Sequence, residues 1–205
     1  MEKPIKLFMG FLLFTLIVEI IASIPVIAHF SEYRYFQWIS ETPFENNAWT
    51  YNIYNLVNPI VISFYFFNYI NDKKFRKFIQ TMLVLFVSIS IYIFYRQSIF
   101  EDSSIIVIFG TIIILLVLLK FFYELLKSEV LLRLMKHLPM YIAVGVFVFN
   151  LVTTPLTIFS DYFSTSSGNG MFVKLQVYVI LFSNIFMYSI FIIGFLACSK
   201  KKKFS

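Results

Sequence analysis

The sequence predicts an all-α, polytopic transmembrane helical bundle of six spans, with both termini cytoplasmic and residues 1–205 forming a single integral membrane domain. Three observations predict it. Charged residues make up only 14% of the chain and hydrophobic residues 60%, whereas a soluble domain carries roughly 25% charged residues. Apolar runs long enough to cross a bilayer recur along the chain, each near the about 20 residues that a spanning helix needs. The positive charges stand in short clusters between those runs, the distribution expected of membrane loops. A net charge of +6 arranged in this way forms no basic face, so nucleic acid is not an expected partner.

The runs cover residues 6–29, 53–71, 76–96, 103–126, 138–160 and 172–198. None alternates apolar and polar residues as the strands of a membrane barrel do. The second is the most polar, diluted by Asn55, Asn58, Pro59 and Asn68. The first follows Lys3 and Lys6 and ends in "VIAH", which admits a second reading as a signal peptide cleaved after Ala28. Its length and the presence of Glu19 favour a retained helix. Retention also makes the number of spans even.

Orientation follows from Lys and Arg, which concentrate on the cytoplasmic side. An even number of spans places the clusters at Lys3/Lys6, Lys73–Lys77, Lys120–Lys136 and Lys200–Lys203 on one side, 14 of the 17 basic residues. The opposite side carries Arg34, Arg96 and Lys174 against Glu32, Glu41, Glu45, Glu101, Asp102 and Asp161. The lipid bilayer is therefore the first expected partner, with both termini on its cytoplasmic side. The long external loop "FSEYRYFQWISETPFENNAWTYN" is acidic and rich in Trp and Tyr. It reads as an interfacial aromatic belt, or as a lid over an outward pocket. The loop "SDYFSTSSGNG" reads as a flexible external turn.

Several chemistries lack their residues. Cys198 is the single cysteine, which rules out an internal disulfide or a CxxC pair. His29 and His137 fall at span ends on opposite sides, so they supply neither an intramembrane protease base nor a metal cluster. No span contains an Asp for a magnesium-diphosphate site, and Lys174 is too near the outer edge for a retinal linkage. No catalytic residue, metal or cofactor is expected, and the chain does not read as an enzyme.

The polar residues inside the spans carry the remaining signal. Glu19 lies halfway along the first run, with Asn150, Asn184 and Ser88 near mid-depth in theirs. A carboxylate in the bilayer is costly, normally turns inward and finds a partner. The spacing of Thr15, Glu19, Ala22 or Ser23, and Val26 predicts an inward stripe on the first span, with Asn amides as partners for Glu19. Asn55, Asn58 and Tyr65 share the second span, and Asn184 and Tyr188 stand one turn apart on the last. Pro25, Pro59 and Pro155 are each placed to kink a helix in its outer half. With only 6 glycines, the chain is expected to shape its interior through kinks and aromatics, without close backbone approach. Glu19, Asn58, Asn150, Asn184 and Tyr188 are thus candidates for a ligand-binding or interior polar site. The competing reading is interhelical hydrogen bonding alone.

The segments "LFTLIVEIIA", "ENNAWTYNIYNLVNPIVISFYFF", "FYELLKSEVLLRLMKHLPMYIAVGVFVFN" and "SNIFMYSIFIIGF", in that order, resemble a group of uncharacterised polytopic membrane proteins of Bacteroidota, often encoded near sensor histidine kinases. That group often carries an acid where Asn58 or Pro59 stands here. The resemblance implies the bacterial inner membrane as the location, a signalling neighbourhood and a sensor histidine kinase as a partner. The expected function is a sensory or signalling-associated membrane module with a polar site around Glu19. One alternative is the substrate-binding membrane component of a small-solute transporter, although the first span lacks the small-xxx-small stripe for docking a partner helix. A purely structural or assembly role is the third.

Overall fold

The computed structural model describes residues 3–159 and 170–199. Lys200–Lys203 and nearly all of the loop after the fifth span, including Asp161, lie outside the described residues. Every regular element among the described residues is helical. The long helices are α1 (Lys3–Phe30), α2 (Ala48–Phe66), α3 (Lys73–Gln97), α4 (Ser104–Leu126), α5 (Leu138–Ile158) and α6 (Gly170–Ser199). Short 3-10 turns occupy Pro43–Glu45 and Glu129–Lys136. Five of the long helices, all but α2, are long and apolar enough to cross a membrane, which fits a multi-pass membrane protein.

The second helix departs from the expected run of 53–71, beginning and ending five residues earlier. Its start draws in Ala48, Thr50 and Asn52, all buried. Its end is set by Asn68, whose side-chain amide donates to the carbonyls of Phe64 and Tyr65 at 3.0 Å each. Those carbonyls belong to the last turn, where the supply of helical N–H donors runs out. The chain then restarts at Asp72, whose carboxylate accepts from the Phe75 N–H at 3.0 Å as the N-cap of α3.

The chain divides into two compact units, Met1–Ile113 and Ile114–Ser205. In the first, α1 buries Phe8, Phe11, Thr15, Val18, Ala22, Pro25 and Ala28. From Phe8 to Pro25 these recur at alternating steps of three and four, the seam along which one helix packs on another. The partner is α2, running antiparallel. Phe8 meets Tyr65 at 5.3 Å between ring centroids, and Tyr54 stacks on Phe11 at 6.0 Å. Gly110 of α4 lies against Pro59, where an added Cβ would come within 2.9 Å of the proline ring.

In the second unit α5 and α6 pack antiparallel through two glycines. A Cβ on Gly145 would meet the Phe191 ring at 2.8 Å, and one on Gly194 would meet the Tyr141 Cβ at 2.7 Å. Each helix therefore offers a glycine to the other's aromatic residue, and close backbone approach does shape this pair, contrary to the expectation drawn from the low glycine content. The entry to α5 is set by His137, whose imidazole stacks on Phe121 with centroids 6.2 Å apart and planes 9° from parallel. Burial pushes the His137 imidazole below its ordinary value, because the charged form loses hydration. The neutral imidazole is thus favoured in the folded state. The unfolded chain takes up a proton first as pH falls below about 6.5, so stability is full above that pH and declines below it. Melting temperature in detergent is expected to drop between pH 7 and pH 5, and His137→Phe to flatten that decline.

Candidate functional site

The C-terminal end of α1 carries a polar recess. The last turn closes with Tyr33 N–H donating to the Ala28 carbonyl at 2.8 Å and Glu32 N–H to His29 at 3.1 Å. To make these bonds Glu32 and Tyr33 take φ of 51° and 58°, a left-handed conformation that costs a residue with a Cβ about 1 kcal/mol each. Backbone held in this way is over-determined by its surroundings and clusters at functional sites. Its effect is to swing Tyr33 back over the helix end, edge-on to the His29 ring at 6.5 Å.

Pro25, Val26, His29, Tyr33, Glu45, Asn46 and Asn47 enclose a recess of 230 Å³. The Glu45 carboxylate beside the Tyr33 phenol pushes the phenol above its ordinary value. The walls thus combine an imidazole, a phenol, a carboxylate and two amides. This set suits a small ligand with hydrogen-bond donors or a positive charge. Tyr35 and Trp38 stand exposed in the same loop.

A polar path leads from the recess along both helices. Glu19, Val26 and His29 share one stripe of α1, which puts Glu19 about 10 Å along the helix from Val26. On α2, Asn47 and Tyr51 are one turn apart. Pro25 has no N–H to offer the carbonyl four residues back, and Asn47 Nδ2 reaches the neighbouring Ala22 carbonyl at 3.5 Å. Tyr51 then donates its hydroxyl to Glu19 Oε2 at 3.4 Å.

This places Glu19 differently from the sequence expectation. It is exposed and flanks the buried seam, one position beyond Val18, instead of lying on an inward stripe. Its hydrogen bond comes from a phenol and not from an Asn amide. Asn150 and Asn184 belong to the second unit. Asn150 is buried and donates to the Val146 carbonyl of its own helix at 2.8 Å. Asn184 is half-buried, and Tyr188 packs edge-on against Phe191 at 6.0 Å, bracing the ring that fills the notch at Gly145. Asn58 is half-buried on α2 beside Pro59, and Ser88 is exposed, donating to the Val84 carbonyl.

Sequence reasoning weighed His29 only as a protease base or metal ligand and Glu45 only as loop charge, and passed over Tyr33, Asn47, Tyr51 and Asn52. The signal available was the helical spacing of Asn47, Tyr51 and Tyr54, had α2 been started early enough to include it. Compared with protein-family models, with curated proteins and with solved structures, the chain matches none.

Proposed function

We propose that this chain is a six-crossing protein of the bacterial inner membrane, with both termini cytoplasmic, that acts as a sensory or signalling-associated module. The observation that carries the reading is the exposed Glu19 carboxylate at the inner end of a polar path from an outward recess. A carboxylate at that depth in an apolar helix, off the buried seam, calls for a ligand or a partner. Ligand occupancy of the recess would act on Asn47 and Tyr51, which sit one turn apart on α2 and touch α1. A sensor histidine kinase is the partner that the sequence resemblance implies.

Six crossings require α2 to span. It has 19 residues, about 28 Å of helix, close to the about 30 Å hydrocarbon core. Its first turns bond to the segment joining α3 and α4, and Arg76 at the start of α3 donates to the Phe67 carbonyl at 3.3 Å just past its end. Both fit a helix that carries the chain from one face to the other. A reporter fused after Lys77 is expected in the cytoplasm. A periplasmic signal there would mean that α2 does not cross.

For the function, Glu19→Gln keeps an acceptor for Tyr51 and is expected to change stability in detergent by less than about 1 kcal/mol. Affinity purification of the tagged chain from native membranes is expected to recover a histidine kinase, and the Glu19→Gln variant to alter that kinase's output. Recovery of an energising ATPase, with solute uptake that depends on Glu19, would replace this reading with transport. A variant with unchanged output in every assay would reduce Glu19 to packing.

A further inference from the structure

We propose that the groove between α2 and α3 binds an anionic phospholipid, its acyl chain lying in the groove and its headgroup held by Lys73, Lys74 and Lys77. The groove has a volume of 350 Å³ and its walls are mainly Ile60, Phe64, Leu83, Val84 and Val87. It opens outward, since Phe64 and Val84 are 47% and 66% exposed. Its polar groups are graded along α3. Gln80 lines one end, and Ser88 lines the other with its hydroxyl proton already donated to the Val84 carbonyl at 3.0 Å.

The charge lies at the Gln80 end. Lys73, Lys77, Gln80, Val84 and Val87 follow one another at steps of four, three, four and three, which is a single stripe of a helix. Lys74 borders it, three residues before Lys77. All three lysines are exposed, whereas Arg76 is drawn off the stripe to the Phe67 carbonyl. From Lys77 to Ser88 the helix rises about 16 Å. The order along this line is cations, then an amide, then hydrocarbon, which complements in turn the phosphate, the ester carbonyls and the acyl chain of a phospholipid.

Two further points select an anionic lipid. Asp72 already sets one carboxylate at the positive end of the α3 dipole, and the three lysines in the opening turns leave an excess of positive charge that a further anion relieves. Basic groups at the membrane surface attract anionic headgroups. A second copy of the chain, laid symmetrically on the same groove, would bring the same three cations against them.

The test is native mass spectrometry of the full chain in detergent with an equimolar mixture of phosphatidylglycerol and phosphatidylcholine of identical acyl chains. One phosphatidylglycerol is expected to survive activation that strips phosphatidylcholine. K77Q is expected to weaken its retention about fivefold and the K73Q/K74Q/K77Q variant about a hundredfold. Val84→Trp, which changes an exposed position and no charge, is expected to weaken it as well. Val87→Trp gives a second groove-filling variant, and melting curves check that each variant is folded. Equal retention of the two lipids overturns the proposal, as does a lipid adduct that survives the triple substitution. Loss with the lysine variants but not with either groove variant overturns it in favour of surface charge alone. Displacement by soluble glycerol phosphate overturns it in favour of a headgroup anion site. A dimer that dissociates on Val84→Trp without lipid release assigns the groove to a second copy.

Discussion

Gly194→Ala is expected to destabilise the α5–α6 pair by about 1–3 kcal/mol, the usual cost of forcing a methyl group into a packed site. The cause is local and rigid. The new Cβ would stand 2.7 Å from the Cβ and 2.9 Å from the Cγ of Tyr141, with Leu138 Cδ1 at 3.2 Å. A Cβ cannot rotate away from its own backbone, so the helices must separate. The same change at Gly145 meets chiefly the Cε1 of Phe191 at 2.8 Å, the far edge of a side chain. Gly145→Ala is therefore expected to cost less, and to be relieved by Phe191→Leu, whereas Gly194→Ala is not relieved by Tyr141→Phe. Gly10→Ala supplies the contrast. Nothing lies within 4 Å of its added Cβ, so the gain in helix propensity of up to about 1 kcal/mol is left unopposed. Thermal unfolding in detergent, followed by loss of helical signal or by aggregation, ranks the three variants. If Gly194→Ala melts with the unsubstituted chain, the close approach of α5 and α6 is not a determinant of stability.

That glycine pair also shows where sequence reasoning stops. Helix, apolarity and approximate span ends were legible because each depends on the composition of one segment. The run ending at Leu126 is a case of this kind, where local residues decide a local structure. Which glycines press against an aromatic residue depends on the partner helix, and nothing in α5 alone marks Gly145. The same holds for Glu19. Its spacing to Thr15 and Ala22 is compatible with an inward stripe, but the seam that forms passes through Val18, because the aromatic residues Phe8 and Phe11 fix the rotation of α1 against Tyr65 and Tyr54. The recess was harder still. His29 and Tyr33 come together with Glu45 only through a left-handed turn at Glu32 and Tyr33, and neither residue type announces that conformation. The start of α2 was misplaced because its polar residues look like loop until their acceptors, more than 40 residues away, are seen.

Those acceptors make Asn52 the second position of large expected effect. Its side chain is 2% exposed, and its amide nitrogen donates to the carbonyls of Ile99 and Glu101, both at 2.8 Å. An NH2 group has two protons, and here each has a carbonyl in the turn that follows the left-handed Ser98 at the end of α3. Asn46 adds a third bond, from its amide to the Phe100 carbonyl at 3.1 Å, and Phe44 packs edge-on against the Phe100 ring at 5.3 Å. Asn52→Leu is nearly isosteric but leaves two carbonyls without their donor, and is expected to cost about 2–3 kcal/mol. Asn52→Asp should cost more at neutral pH, since it aims a buried carboxylate at two carbonyl oxygens. The pH dependence separates the two. A carboxyl group in that setting holds its proton more tightly folded than unfolded, so the Asp variant gains stability as pH falls and loses it as pH rises. The Leu variant has no such group and should show only the background pH dependence of the unsubstituted chain. Asn46 and Asn47 line the recess, and Asn46 shares the α3–α4 turn with Asn52, so loosening the turn is expected to disturb the recess before α1 itself unfolds. Hydrogen exchange at residues 98–103 and 45–52 would then rise together in both variants. Exchange confined to 98–103 would mean that the turn and the recess are held independently.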